Sequence, residues 1–213
     1  MRQLLRMAAL GLVGLAMAGC VTDAVEPPPP PKEAEVVHHW NFNALPTGQL
    51  TEALASASTV GTGRITYPGT GNGYMDRVDP GTDLNALSGI PAGFGLRPRN
   101  PSATWELLIV APSTGYEKLE ISYALQRSSP AGAEQQLLQY SADGGTTWVN
   151  VAPAYDLTAI DPNWERKYFN LETVAAVSNN ANLRFRILFQ GPAAAGTSGN
   201  HRIDNLIIEG VPQ

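Results

Sequence analysis

The last apolar run of the chain, "HRIDNLIIEG" at 201–210, carries an aspartate and an asparagine at its centre, Asp204 and Asn205. A carboxylate inside such a run costs free energy unless hydrogen bonds, a cation or a metal compensate it. Strand alternation puts Arg202, Asp204, Leu206 and Ile208 on one face, so Asp204 is expected to point inward with the apolar pair. Asn43, in "WNFN" at 40–43, adds an oxygen donor of the type that hard cations take. Other reactive chemistry is sparse. The domain has three histidines, His38, His39 and His201, with no G-x-S-x-G elbow, and the single cysteine is Cys20, so a nucleophilic triad has no parts. Adjacent His38 and His39 face opposite ways on a strand and cannot share a metal, and all three histidines are expected at the surface. Glycosidases on such folds place two carboxylates on one strand face, whereas Glu117 and Glu120 are three apart and Glu106 stands alone. A sugar site would draw on Trp105, Trp164, Tyr74, Tyr155, Arg97 and Arg99. Trp164 and Trp105 are the candidate ligand-binding rings, although each ring also has the option of simply being buried.

The elements that position these residues read as β throughout. From Val36 onward, short apolar or alternating runs are separated by Gly, Pro, Asn and Asp clusters. Strands are predicted at 36–43, 63–68, 93–98, 103–112, 116–127, 134–142, 147–153, 166–171, 182–191 and 201–210, a number that suits a sandwich of two antiparallel sheets. In 116–127, Leu119, Ile121, Tyr123 and Leu125 share one face against Lys118, Glu120 and Ser122; Leu183, Phe185, Ile187 and Phe189 likewise oppose Arg184 and Arg186. Helical turns are expected only at 50–57 and 172–178, and 68–83 reads as a long surface loop. "SADGGTTW" at 141–148 has the spacing of an Asp-box hairpin, in which Asp143 accepts backbone N–H groups, Gly144 and Gly145 supply positive φ, and Trp148 packs beneath. A single such box, with no period of 20–50 residues, argues for a local hairpin rather than a propeller.

The first residues belong to a different regime. Arg2 and Arg6 precede an apolar run too short to span a bilayer as a helix. "LAMAGC" at 15–20 resembles the lipobox of bacterial lipoproteins, with Ala18 and Gly19 in the small-residue places and Met17 where an aliphatic residue is usual. The resemblance implies a signal peptide at 1–19, lipidation of Cys20, and a lipid bilayer as partner through acyl chains rather than a helix. Loss of Arg2 and Arg6 takes Lys and Arg from 14 to 12 against 19 Asp and Glu, so the net charge moves from −5 to −7. Such a surface, without a basic cluster, excludes nucleic acid as a partner. Residues 20–35 include five consecutive prolines and form an extended spacer ahead of the domain at 36–213. Val21, in place of the aspartate that retains some lipoproteins at an inner membrane, points to the outer one.

Read in order, "STGYEKLEISYALQRS" (113–128), "LLQYSADGGTTWVNV" (137–151), "WERKYFNL" (164–171) and "LRFRILFQGPAAAGTSGNHRIDNLIIEG" (183–210) resemble the jelly-roll domains of bacterial surface proteins. The likeness is to the cleaved-adhesin and choice-of-anchor J type, and more distantly to MAM domains, with Trp148, Trp164 and the Asp204–Asn205 pair at matching places. It implies an all-β fold, a single jelly-roll β-sandwich of two antiparallel sheets. It also implies a structural calcium at Asp204 and Asn205, to which oxygen-ligand chemistry adds Asn43; Asp204 paired with Arg202 or with backbone N–H groups is the alternative. Such modules serve adhesion, glycan binding and display. The expected function is therefore a lipid-anchored, non-enzymatic module at the cell surface that binds a polysaccharide. A structural lipoprotein that binds another envelope protein, and a hydrolase, are the alternatives.

Overall fold

The computed structural model describes residues 30–68, 73–160 and 162–213. Cys20, the signal segment and most of the linker lie outside them. The described residues form fourteen strands: β1 (Glu35–Trp40), β2 (Glu52–Leu54), β3 (Ala57–Ser58), β4 (Arg64–Thr66), β5 (Met75–Val78), β6 (Gly95–Pro98), β7 (Glu106–Val110), β8 (Tyr116–Arg127), β9 (Gln135–Ser141), β10 (Val149–Asn150), β11 (Tyr155–Asp156), β12 (Trp164–Asn170), β13 (Arg184–Gln190) and β14 (His201–Pro212). They make two antiparallel sheets of seven strands. The first runs β12-β8-β14-β1-β3, with β6 and then β5 added beside the start of β14; the second runs β10-β9-β13-β7-β4-β2, with β11 beside β9. The jelly-roll sandwich expected from the sequence is the fold found.

Its core is the set of residues that alternation selected. Leu119, Ile121, Tyr123 and Leu125 of β8 meet Leu183 and Phe185, Ile187 and Phe189 of β13, all at 0–2 % exposure. Tyr123 keeps its hydroxyl satisfied by donating to Gln136 Oε1 at 3.1 Å. Two expectations fail in short elements. The segment 50–57 holds strand β2 and leads into β3 instead of a helical turn, because pairing with β4 and β1 outweighs a marginal helical preference. The stretch 68–83, read as loop, contains β5, which pairs with β6 and buries Asp76. The helical turn at 172–178 appears as a 3-10 turn at Ala175–Val177.

The central strand β14 corrects a larger expectation. Its pairing with β8 slips between Asp204 and Ile207: Ile203 lies opposite Leu125 and Asp204 opposite Ala124, and then Ile207 lies opposite Ser122. This bulge puts Ile203, Leu206 and Ile208 on the core side and turns Asp204 to the other face, away from them. Asn205 sits at the bulge with φ +46°, a conformation asparagine tolerates better than most side chains. Its Nδ2 donates to the carbonyls of Thr82 at 2.7 Å and Leu84 at 3.1 Å. Asn85 answers by donating to the Asn205 carbonyl at 2.7 Å and to Ser122 Oγ at 3.1 Å. The loop 79–94 is thereby fastened over the outer side of the first sheet, which is why Ser122 and Ala124, on the face expected to meet solvent, are buried.

The histidines are buried as well, contrary to the surface placement expected for them. His38 bonds Ser58 Oγ through Nδ1 and the Pro112 carbonyl through Nε2. His201 stacks on Phe189, with ring centroids 4.0 Å apart. His39 pairs with Ile207, six residues along β14 from His201, so the two do not meet.

Asn205→Ala should lower the unfolding free energy by about 2–3 kcal/mol, from two lost hydrogen bonds and a positive φ that alanine resists. Chemical denaturation checks this, with Asn205→Gly as the companion: glycine relieves the φ cost and should recover part of the loss. Equal stability of all three proteins would show that the bulge does not depend on this side chain.

Candidate glycan-binding face

The solvent side of the second sheet is built from alternate residues of its central strands. On β13, Arg184, Arg186 and Leu188 lie opposite Val110, Leu108 and Glu106 of β7, and opposite Ser141, Gln139 and Leu137 of β9. The face continues through Thr66 and Arg64 of β4 to Glu52 and Leu54 of β2.

One row on this face is hydrogen-bonded across four strands. Arg186 donates from Nη1 to Glu106 Oε2 at 2.8 Å and from Nε to Gln139 Oε1 at 2.6 Å, and Gln139 Nε2 donates to Asn150 Oδ1 at 2.7 Å. Each side chain is thus held in one orientation by its neighbour, an arrangement that lowers the entropy a ligand would have to remove. Over the row lies Trp148, its ring 4.2 Å from the Arg186 guanidinium carbon. Trp148 is placed by the hairpin that follows β9. Asp143 accepts N–H bonds from Thr146 at 3.0 Å and Thr147 at 2.9 Å, and hydroxyl bonds from Ser141 and Thr147 at 2.7 Å each. These donors, the Thr147 hydroxyl foremost, hold the Asp143 carboxyl below the ordinary range. Gly144 and Gly145 take φ of +76° and +98°, as the motif requires. The hairpin reading of 141–148 therefore holds, but Trp148 lies over the sheet surface on Arg186.

Beside Arg186 a groove of about 380 Å³ opens between Trp105, Thr104, Leu188 and Pro68. Trp105 is half-buried in its wall. Trp164, the other ring chosen from sequence, begins β12 at the edge of the first sheet. The two tryptophans occupy different sheets and do not form one platform. The residues that sequence reasoning passed over are Trp148, Arg186, Gln139 and Glu106. Alternation already aimed Arg186 outward, while the strand order that brings Glu106 and Gln139 to either side of it lies outside local sequence.

The residues proposed for calcium fall on the other side of the molecule. Asp204 accepts the Thr82 N–H on Oδ2 and the Asn205 N–H on Oδ1, both at 2.8 Å. Asn43 accepts the Phe94 N–H at 2.8 Å and donates to the Pro91 carbonyl at 3.0 Å. A Cβ at Gly93 would collide with the Asn43 side chain, and one at Gly81 with Asp204, so both contacts need glycine. Asp204 and Asn205 thus fasten the loop 79–94 near its start, and Asn43 fastens it near its end. Calcium asks for six to eight oxygens, several of them anionic. Here one carboxylate has N–H donors on both oxygens, and the Asn205 amide donates to the carbonyls an ion would need. Among the described residues no three His, Cys, Asp or Glu side chains converge as metal ligands. As arranged, this donor set does not fit calcium, and backbone N–H groups compensate Asp204 in part. Ser102 and His201 approach at 3.4 Å, but both are wholly buried and Ser102 donates to Asn100 Oδ1, so the pair meets no substrate.

By sequence, the chain matches no family model and no curated protein. By structure it is similar to the tandem of two family 22 carbohydrate-binding modules of Paenibacillus barcinonensis Xyn10C, with a TM-score of 0.50 and 10% identity over 85% of this chain and 46% of that one. What is shared is the β-sandwich fold. This chain spans about half of that tandem protein. Similarity extends to the C-terminal family 22 module of Clostridium thermocellum Xyn10B, with a TM-score of 0.48 and 14% identity over 83% of this chain and 94% of that one. The family 29 module CBM29_1 of Piromyces equi gives 0.43 and 13% over 84% and 90%.

Two measurements bear on Asp204 and its surroundings. Burial raises its carboxyl to about 7, against the lowering effect of the Thr82 and Asn205 N–H bonds. A carboxyl raised in the fold contributes stability below its ordinary value near 4 that is lost as pH climbs towards 7. His38, His39 and His201 act in the opposite sense: burial lowers all three, His201 to about 3, so their contribution is present above about 6.5 and lost on acidification. Asp204→Asn isolates the first effect. Its stability deficit relative to the wild type should be largest near pH 4 and shrink towards pH 7, and a deficit independent of pH would contradict the raised carboxyl. Melting in excess calcium and in chelator should give the same Tm; a rise with calcium would show that an ion recruits these oxygens after all.

Proposed function

We propose that the chain is a non-catalytic glycan-binding module of the cell envelope, and that the solvent face of the second sheet is where the polymer binds. The observation that carries the reading is the Asn150–Gln139–Arg186–Glu106 row roofed by Trp148 and ending at the Trp105 groove. A pyranose offers an apolar C–H face to an aromatic ring and hydroxyls to amides, carboxylates and guanidinium groups, and this row presents both together. The fold likeness adds support. The similar structure of TM-score 0.50 is a tandem of carbohydrate-binding modules. In the same reading the domain is of the cleaved-adhesin and choice-of-anchor J type. Cys20 carries the lipid that attaches it to the outer membrane, and the Pro-rich segment spaces it from the bilayer.

Affinity electrophoresis of the full chain in detergent, against xylans, galactans, glucans and peptidoglycan fragments, tests the site. Retardation by at least one neutral polymer is expected, weakened about tenfold or more by Trp148→Ala and by Arg186→Gln, since central aromatic and arginine anchors dominate such interfaces. Trp164→Ala should bind neutral polymer as the wild type does. Retention that is insensitive to Trp148 and Arg186 would remove the function from this face. For the anchor, Cys20→Ser should move the protein from the membrane to the soluble fraction.

A further inference from the structure

The outer side of the first sheet carries a second row that the neutral-glycan reading leaves unused. Asp76 on β5 lies opposite Arg97 on β6, and Gln126 on β8 lies between Arg202 on β14 and Trp164 on β12. Where β6 meets β14, Leu96 is opposite Ile203, which makes Arg97 and Arg202 neighbours on the same side. The row therefore reads Asp76, Arg97, Arg202, Gln126, Trp164 across five strands, beyond the rim of the loop that covers Asp204.

Its charges do not balance. Asp76 accepts two bonds from Arg97 at 2.8 Å each, and two from Arg99 at 3.1 and 2.8 Å. One carboxylate thus serves two guanidinium groups. Arg202 brings a third, whose Nη1 donates to Gln126 Oε1 at 2.7 Å, while its Nε is out of solvent with no acceptor. Burial, and then the neighbouring Arg97 charge, both work against the Arg202 cation. Three positive groups against one negative, with an unsatisfied buried donor, is a costly arrangement in a chain whose formal net charge is −5. An oxyanion placed on the row would relieve the repulsion. Arg97 and Arg99 remain 22 % and 29 % exposed, so the groups can be reached. Next to Arg99, whose guanidinium lies 5.1 Å from the Tyr74 ring centroid, a polar recess of about 210 Å³ opens between Tyr74, Asn100, Thr197 and Ser198.

We propose that this row is a second binding site, for the anionic group of an acidic glycan, with Arg202 and Arg97 taking the oxyanion and Trp164 offering a ring to the sugar that carries it. The proposal adopts the glycan-binding reading for the class of polymer but uses none of its residues. The oxyanion has two possible sources, a uronic acid carboxylate or a phosphate substituent, and the experiment separates them.

The full chain in detergent is titrated by calorimetry with oligogalacturonate, with its fully methyl-esterified form, and with inorganic phosphate. Binding of the free acid, weakening as salt rises, absent for the ester, and reduced about tenfold or more by Arg202→Gln and by Arg97→Gln, assigns the site to a carboxylate. Binding of phosphate without binding of oligogalacturonate, and with the same dependence on both arginines, assigns it to a phosphate. Arg97→Gln leaves Asp76 its two bonds from Arg99, so the fold should survive, and Arg202→Lys should retain part of the affinity. Equal affinity for acid and ester, affinity unchanged in both glutamine variants, or no binding of either probe would overturn the proposal. Trp148→Ala keeps the two sites distinguishable: it should weaken neutral-polymer binding about tenfold or more and leave the anion unaffected.

Discussion

The register of β14 decides what each face of this molecule can be. The strand runs through the middle of the first sheet, paired along one side with β8 and along the other with β1 and β6. Without its one-residue slip at Asn205, either Ile203 or Leu206 and Ile208 would be driven out of the core. With it, a polar pair faces outward in the middle of an apolar strand and catches the loop 79–94. That loop covers the centre of the first sheet and leaves the row that ends at Trp164 open beside it. On the second sheet the alternate residues Leu108, Gln139, Arg186 and Leu188 of the middle strands stay partly exposed.

The two faces solve the same electrostatic problem differently. On the second sheet, Arg186 is met by Glu106 and by the Gln139 carbonyl and lies under Trp148, so every donor that the row depends on has its partner. On the first sheet, cations outnumber the acid, and Arg202 keeps a buried donor idle. A satisfied row is a rigid template for hydroxyls, whereas an unsatisfied one is an invitation to charge. For the proposed anion site, the chain's net negative charge would add selectivity, since an approaching anion is favoured only where positive groups gather.

How far this was legible in the sequence depends on the range of the signal. Period-two alternation placed Leu119 to Leu125 and Leu183 to Phe189 in the core and Arg186 at the surface, because the pleat enforces that pattern within one strand. The hairpin at 141–148 was legible for the same reason: Asp143 and its donors are all within a few residues of one another. The reading of Asp204 failed because a bulge breaks alternation without any change in composition. Asn205, able to take positive φ, was the only local sign of it. Strands of two to four residues such as β2, β3 and β5 are held by partners distant in sequence, so their own residues say little. Trp105 and Trp164 looked equivalent as a pair of rings; only the strand order reveals that they belong to opposite sheets. Trp148 was visible as a hairpin residue but not as the roof of a site, since Arg186 comes to it from a strand 38 positions later in the chain.

The course of β14 carries one more implication. The chain enters the sandwich at Glu35, which is opposite Gly210 near the end of β14, while Arg202 stands near its start. Eight residues of extended strand separate the two, about 26 Å at 3.3 Å per residue. The point of entry and the arginine row are therefore at opposite ends of the central strand, and a pull applied through Glu35 against a polymer held at Arg202 would load β14 along its axis. In that direction the hydrogen bonds to β8 and β1 are stressed together in shear, whereas a pull from the side would open them one at a time. A ladder loaded in parallel yields only when many bonds fail at once, so the strand that sets the register is also the one placed to bear tension.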